Sequence, residues 1–309
     1  MINPKGVCYA VLVLVAAVAG SARGVIPGGV FAAADQLKVI FDPRAWPQTV
    51  GYHSMAGTAI YHGRKMPFYT GIFLPRAFFQ TTNPMPIVMT LHNRASIGGN
   101  GTGSTVGEGM GRLLAQGERD GRAEGDTPDN PISLREEAQF IGLVPQCPAG
   151  FGWEDPVMSD ALCQIIDLAL QQYHADADRV YLTGFSYGAS STWRVALNYP
   201  DRFAAIVCCD GRATPDPVND VKKLKDLPIY LEVGEWDGEF VAEADRMHAA
   251  LDTLPHRNYI FRQIPGGNHF NYGAVYTDPA VWKWVLAQHR PHAVATTQAS
   301  AADTSAAAR

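Results

Sequence analysis

The stretch Arg179 Val180 Tyr181 Leu182 Thr183 Gly184 Phe185 Ser186 Tyr187 Gly188 Ala189 constrains the fold more than any other part of the chain. A short run with strand preference enters Gly-x-Ser-x-Gly, and a helical pattern from Ser190 to Asn198 follows at once. A chain that passes from strand to helix within so few residues holds the serine in a strained conformation with its hydroxyl exposed, the arrangement known as a nucleophile elbow. Gly184 and Gly188 flank the turn, where neighbouring backbone comes too close for a Cβ. The helix behind Ser186 aims free N–H groups and its positive dipole end at the place where an acyl oxyanion would form. Unassisted serine is a poor nucleophile, so the motif requires a base and an acid further along the chain.

The rest of the sequence supplies a frame for such a turn. Strands are expected at Pro67 to Pro75, Pro86 to His92, Phe140 to Val144, Phe203 to Cys209, Ile229 to Val233 and Tyr259 to Ile264, in addition to the elbow strand. Between them, Ser159 to Tyr173 carries apolar residues at 162, 165, 166, 169, 170 and 173, the period of a helix with one buried face. Glu239 to Leu254 and Pro279 to Gln288 also read as helices. Alternating strands and helices imply an α/β domain with a mostly parallel, doubly wound sheet over residues 66–292. Gly24 to Lys65, rich in Gly, Pro and aromatic residues without a clear period, is expected to be an irregular extension over residues 23–65. Residues 116–135, charged and rich in Gly and Pro, read as a surface insertion.

The two ends differ in kind from this frame. Lys5 gives a positive start, Val7 to Val18 an apolar run too short to span a bilayer convincingly, and small residues follow through Ala22. This predicts a secretory signal peptide over residues 1–22, cleaved after Ala19 or Ala22, and a secreted or periplasmic protein without stable membrane insertion. Residues 293–309, mainly Ala, Ser and Thr, read as a disordered tail. Of the cysteines beyond the leader, Cys208 and Cys209 sit in an apolar run as small core residues, and a Cys147–Cys163 bridge is open. Their spacing fits no zinc site, and no metal or other cofactor is expected. The formal charge of −5, with no dense Lys/Arg run, leaves no electrostatic footprint for nucleic acid or an anionic membrane. The Gly-rich run Asn93 to Thr105 matches neither a dinucleotide fingerprint nor a phosphate loop.

The partners of Ser186 are sought on loops just beyond later strands, in the order Ser, acid, His. Asp237 stands four residues past Val233, and His269 five past Ile264, within Pro265 Gly266 Gly267 Asn268 His269 Phe270. Asp210, directly after the strand ending at Cys209, competes for the acid position. Asp237 also has the reading of a helix N-cap, and His269 that of a polar loop histidine.

These residues resemble the α/β-hydrolase fold, and within it the single-domain serine esterases that include feruloyl and acetyl xylan esterases and related secreted carboxylesterases. The similarity covers about residues 66–290 and rests on Val144 Pro145 Gln146 Cys147 Pro148, the elbow, Gly234 to Asp237 and Gly266 to His269. The resemblance implies Ser186 as nucleophile, His269 as base and Asp237 as acid, with the Tyr187 N–H as one oxyanion donor and that of Arg94 or Asn93 as the other. Such esterases usually carry His-Gly where this chain has His92 Asn93. No cap domain fits between Cys209 and Ile229, so an open cleft is expected, with Trp153, Phe151 and Tyr187 as walls and Trp153, Phe151 and Gln146 as substrate-binding residues. The implied substrate is a small or polymer-linked ester. A peptidase or amidase of the same fold, or a non-catalytic binding module, remains open.

Overall fold

Val180–Phe185 (β6) is buried along its whole length and lies inside a sheet with nine strands among the described residues. The computed structural model describes residues 36–102, 107–115, 138–212, 217–255 and 258–290. The expected leader, the tail and the whole insertion at 116–135 fall outside these residues.

Numbered along the chain from Lys38–Ile40 (β1), Gly51–Tyr61 (β2), Arg64–Leu74 (β3), Ile87–Leu91 (β4) and Ile141–Pro145 (β5) through β6 to Ala205–Cys209 (β7), Ile229–Gly234 (β8) and Tyr259–Ile264 (β9), the strands run in space β1-β2-β3-β5-β4-β6-β7-β8-β9. Of these, β4 to β9 are mutually parallel. Strands β4 to β8 are buried at every position, as parallel strands covered on both faces must be. One face packs on Pro156–Tyr173 (α2), Tyr187–Asn198 (α3) and Glu239–Leu251 (α4) through residues such as Ile165, Trp193 and Met247. The other face packs on Met110–Ala115 (α1), Tyr272–Tyr276 (α5) and Pro279–Leu286 (α6) through Leu114, Tyr276 and Val285. The sheet is therefore doubly wound and mostly parallel, as expected.

The chain leaves β4 for β5 on one side and reaches β6 on the other, so sheet order reverses at β4. A crevice forms outside the carboxyl ends of strands at such a point. Leu91 pairs with Gly184 there, which sets the loop after β4 beside Ser186.

The segment before residue 66 is a correction. Lys38–Ile40 (β1) and Gly51–Tyr61 (β2) are strands, and β2 forms a long antiparallel hairpin with Arg64–Leu74 (β3). His62 and Gly63 turn it with φ of 46° and 76°, the left-handed pair that a two-residue hairpin of type I′ needs. The expected irregular extension therefore contributes two strands to the sheet, joined by a segment with a 3-10 turn at Pro43–Ala45, and the boundary at residue 66 falls inside β3. Tyr52, Met55 and Ala59 are the buried positions of β2. Their spacings of three and four residues do not show the period of two that identifies a half-buried strand.

Smaller differences have local causes. Helix α2 begins at Pro156, whose fixed φ suits a first turn, rather than at Ser159. The four described cysteines are free thiols, and burial pushes those of Cys147 and Cys163 up to about 12.

Candidate active site

Ser186 sits between β6 and α3 with φ 56° and ψ −119°, a conformation that costs an L-residue energy and survives only where its surroundings enforce it. Its N–H donates to the Cys209 carbonyl at 2.9 Å, tying the turn to β7. A Cβ on Gly184 would lie 2.3 Å from the Gly188 carbonyl carbon, and one on Gly188 would lie 2.0 Å from the Leu91 carbonyl oxygen. Both contacts are with backbone, which cannot rotate away. Gly188→Ala is thus expected to push α3 off β4, costing on the order of 3 kcal/mol and most of the activity. Thermal unfolding with an ester assay checks this, and a variant of native Tm and turnover would contradict it.

His269 and Asp237 arrive from the same sheet edge. His269 Nε2 is 2.8 Å from Ser186 Oγ, and His269 Nδ1 lies 3.0 and 2.9 Å from Asp237 Oδ1 and Oδ2. With Nδ1–H donating to the carboxylate, Nε2 faces the hydroxyl as an acceptor. Phe185 and Phe240 pack against the imidazole with ring centroids 5.1 and 4.5 Å away. Asp237 is not a helix cap. That position belongs to Gly238, and both Asp237 carboxylate oxygens face His269.

Asp210 lies behind the pair and does not hydrogen-bond His269. Its Oδ1 accepts the Gly234 N–H at 2.9 Å, and the buried carboxyl also meets the side chain of Asp237. Glu232 on β8 is equally buried, beside the Cys209 side chain. Burial, then repulsion from Glu232 and Asp237, holds the Asp210 carboxyl well above the usual carboxylate range. Burial and Asp237 do the same to Glu232, opposed by Arg262.

A carboxyl whose folded pKa is raised binds more protons in the native state, so stability falls as pH rises from the unfolded value, about 4, toward the folded one. Asp210→Asn keeps the acceptor for Gly234 and removes the titration. The Tm of this variant is expected to gain on that of the native protein between pH 5 and pH 8. A difference that stays constant or shrinks over that range would contradict the assignment.

The loop after β4 is fixed by His92. Its Nε2 accepts the Cys147 N–H at 3.0 Å and its Nδ1 lies 2.7 Å from the Asn93 carbonyl, a pattern only the neutral Nδ1–H tautomer satisfies. Burial lowers its pKa to about 4, which keeps it neutral. Asn93 has φ −69° and ψ 171°, angles open to any residue, so the departure from glycine leaves the turn intact. Arg94 opens a 3-10 turn, Arg94–Ser96, and Tyr187 opens α3. The first N–H groups of a helix have no acceptor within it.

A cleft of about 740 Å³ opens at Ser186. Tyr187 lines it, with the Arg94 guanidinium 4.1 Å above its ring centroid. The other expected walls are corrections. Trp153 is wholly buried, its indole donating to the His92 carbonyl. Phe151 is half-buried edge-on to Tyr61. Gln146 is buried, its backbone N–H donating to Tyr69, and borders a separate cavity of about 180 Å³. Loop aromatics after β5 turn into the core because an indole or phenyl ring gains more from burial than from exposure. The cleft instead runs along the outer face of α3, past Ser190, Arg194 and Asn198, with Arg212 and Phe240 opposite. The sequence carries a signal for this face: positions 186, 190, 194 and 198 recur at helical spacing and are not large apolar residues.

No family model matches the chain. Among solved structures, a thermostable esterase superposes with TM-score 0.57 at 21% identity, covering 77% of this chain and 63% of that one. A feruloyl esterase module from Clostridium thermocellum, complexed with sinapinate, gives TM-score 0.57 at 15% identity over 85% and 98%. This is the α/β-hydrolase fold. Among curated relatives of this α/β-hydrolase chain, acetylxylan esterase A of Emericella nidulans is 43% identical over 83 residues, 23% of this chain and 27% of that protein. A bifunctional acetylxylan esterase/xylanase of Neocallimastix patriciarum is 25% identical over 153 residues, 46% of this chain and 22% of that protein. The chain thus spans about a quarter of the length of these two relatives.

Proposed function

We propose that the chain is a serine ester hydrolase that works through an acyl-enzyme on Ser186. The observation that carries this reading is the single imidazole bridging Ser186 Oγ and the Asp237 carboxylate. His269 takes the proton as Ser186 Oγ attacks the ester carbonyl, and Asp237 stabilises the imidazolium that forms. The backbone N–H groups of Tyr187 and of Arg94 or Asn93 receive the oxyanion. His269 then protonates the departing alcohol, and water releases the acid by the same steps in reverse.

The similarity to acetylxylan esterases and the superposition on a feruloyl esterase module support plant polysaccharide or phenolic esters as the substrate class. An open cleft suits a polymer-linked ester. The test compares acetylated xylan, methyl ferulate and p-nitrophenyl acetate with matched amides. Release of acetate or ferulate with much slower amide cleavage is expected. Faster amide cleavage would make the protein a peptidase or amidase, and no turnover of any would leave a binding module.

The catalytic unit is proposed to extend over residues 66–292 together with the β1–β2 segment that completes its sheet. Export rests on the basic start and short apolar run of residues 1–22. No described helix is long and apolar enough to cross a membrane. N-terminal sequencing of protein recovered outside the cytoplasm should find residue 20 or 23 first, and an intact Met1 there would refute cleavage.

A further inference from the structure

The cleft has a charge that the ester reading leaves unused. The chain as a whole carries −5, yet Arg94, Arg194, Arg212 and Lys223 all line this cleft, against Glu154 and Asp220. Two of the cations are engaged by neighbouring carboxylates, Arg212 by Glu239 and Lys223 by Asp220, and Arg94 lies over the Tyr187 ring. Arg194 is different. It is exposed, and it makes no ion pair among the described residues.

Its place on the helix gives it a reach. Arg194 stands two turns after Ser186 on the α3 face that forms the cleft floor, about 12 Å along the axis at 1.5 Å per residue. With Ser190 between them, the floor runs from the nucleophile to this guanidinium. A planar fork of N–H donors on one wall of a groove matches a carboxylate in two parallel hydrogen bonds.

We propose that Arg194 binds a carboxylate carried by the substrate, set apart from the scissile ester, so that the cleft selects acidic esters over neutral ones. This rests on the ester-hydrolase reading of the same site. The carboxylate can belong to the alcohol side, as a uronic acid near an acylated sugar, or to the acyl side, as the free end of a dicarboxylic acid. Arg94 adds positive potential along the path, which draws an anion in at low ionic strength.

Two substrate pairs distinguish the sources. One is an acetylated oligosaccharide bearing a uronic acid against its uronamide. The other is a p-nitrophenyl monoester of a long dicarboxylic acid against its ω-amide. In one pair kcat/KM should favour the acid by about fivefold, the order expected of an exposed ion pair, mainly through KM. That preference should shrink in high salt and fall to about one in Arg194→Gln. Equal rates for acid and amide in both pairs, or a preference that persists in Arg194→Gln, would overturn the proposal.

Should no ester be turned over, the hydrolase reading fails but the site can still be judged by calorimetry on Ser186→Ala. Tighter binding of the acid than of its amide, lost in Ser186→Ala/Arg194→Gln, supports the carboxylate site, and equal binding refutes it.

Discussion

Ser186→Ala is expected to lower ester hydrolysis by about a thousandfold or more, down to what positioning and oxyanion contacts provide without a nucleophile. The substitution removes one oxygen at the mouth of a cleft and leaves the strained backbone as it was. Gly184, Gly188 and the Ser186 N–H bond to Cys209 hold that backbone, not the hydroxyl. Tm should therefore change little while turnover collapses. Both are read on one preparation, and near-normal turnover in folded protein would remove Ser186 from the chemistry.

The second large effect concerns the acid. In Asp237→Asn the carboxylate facing His269 Nδ1 becomes an amide. The imidazole loses the partner that fixes its tautomer and stabilises its protonated form. By analogy with other triads the loss in kcat is roughly 10³ to 10⁴-fold, with KM little changed. Asp210→Asn should cost less than about fivefold. Its carboxyl touches the Gly234 N–H rather than His269, and its buried neighbours favour the neutral form that an amide imitates. A reversed ranking, with both variants folded, would make Asp210 the acid.

Much of the site was legible because it depends on order along the chain. The elbow couples two glycines to a serine through steric necessity, and each strand that ends in a polar loop delivers its side chains to one edge. Those offsets single out His269 and leave Asp237 and Asp210 as candidates for the acid. The choice against Asp210 could be made only from spacing and resemblance, since its burial beside Glu232 depends on how β7 and β8 pair.

The missed features share a different character. Strand β2 lies toward the sheet's edge with burial at irregular intervals, so no periodic pattern marked it. Trp153 looked like a cleft wall because an aromatic residue after β5 can turn either way. The His92 carbonyl that accepts its indole comes from the loop after β4, distant in sequence. An arginine on an amphipathic helix is ordinarily a solvated surface residue, so nothing in the sequence alone singles out Arg194. Only the path of the cleft along α3 gives it a use.

The central claim is that Ser186, and no other serine, is the activated nucleophile. A fluorophosphonate reacts with a serine whose hydroxyl is deprotonated by a neighbouring base, so mass spectrometry after labelling tests the claim without any choice of substrate. One adduct per chain is predicted, on the tryptic segment from Val180 to Arg194, localised to Ser186 rather than Ser190 or Ser191, and lost in Ser186→Ala and His269→Ala. A folded protein that stays unlabelled, or that carries the label elsewhere, would contradict it.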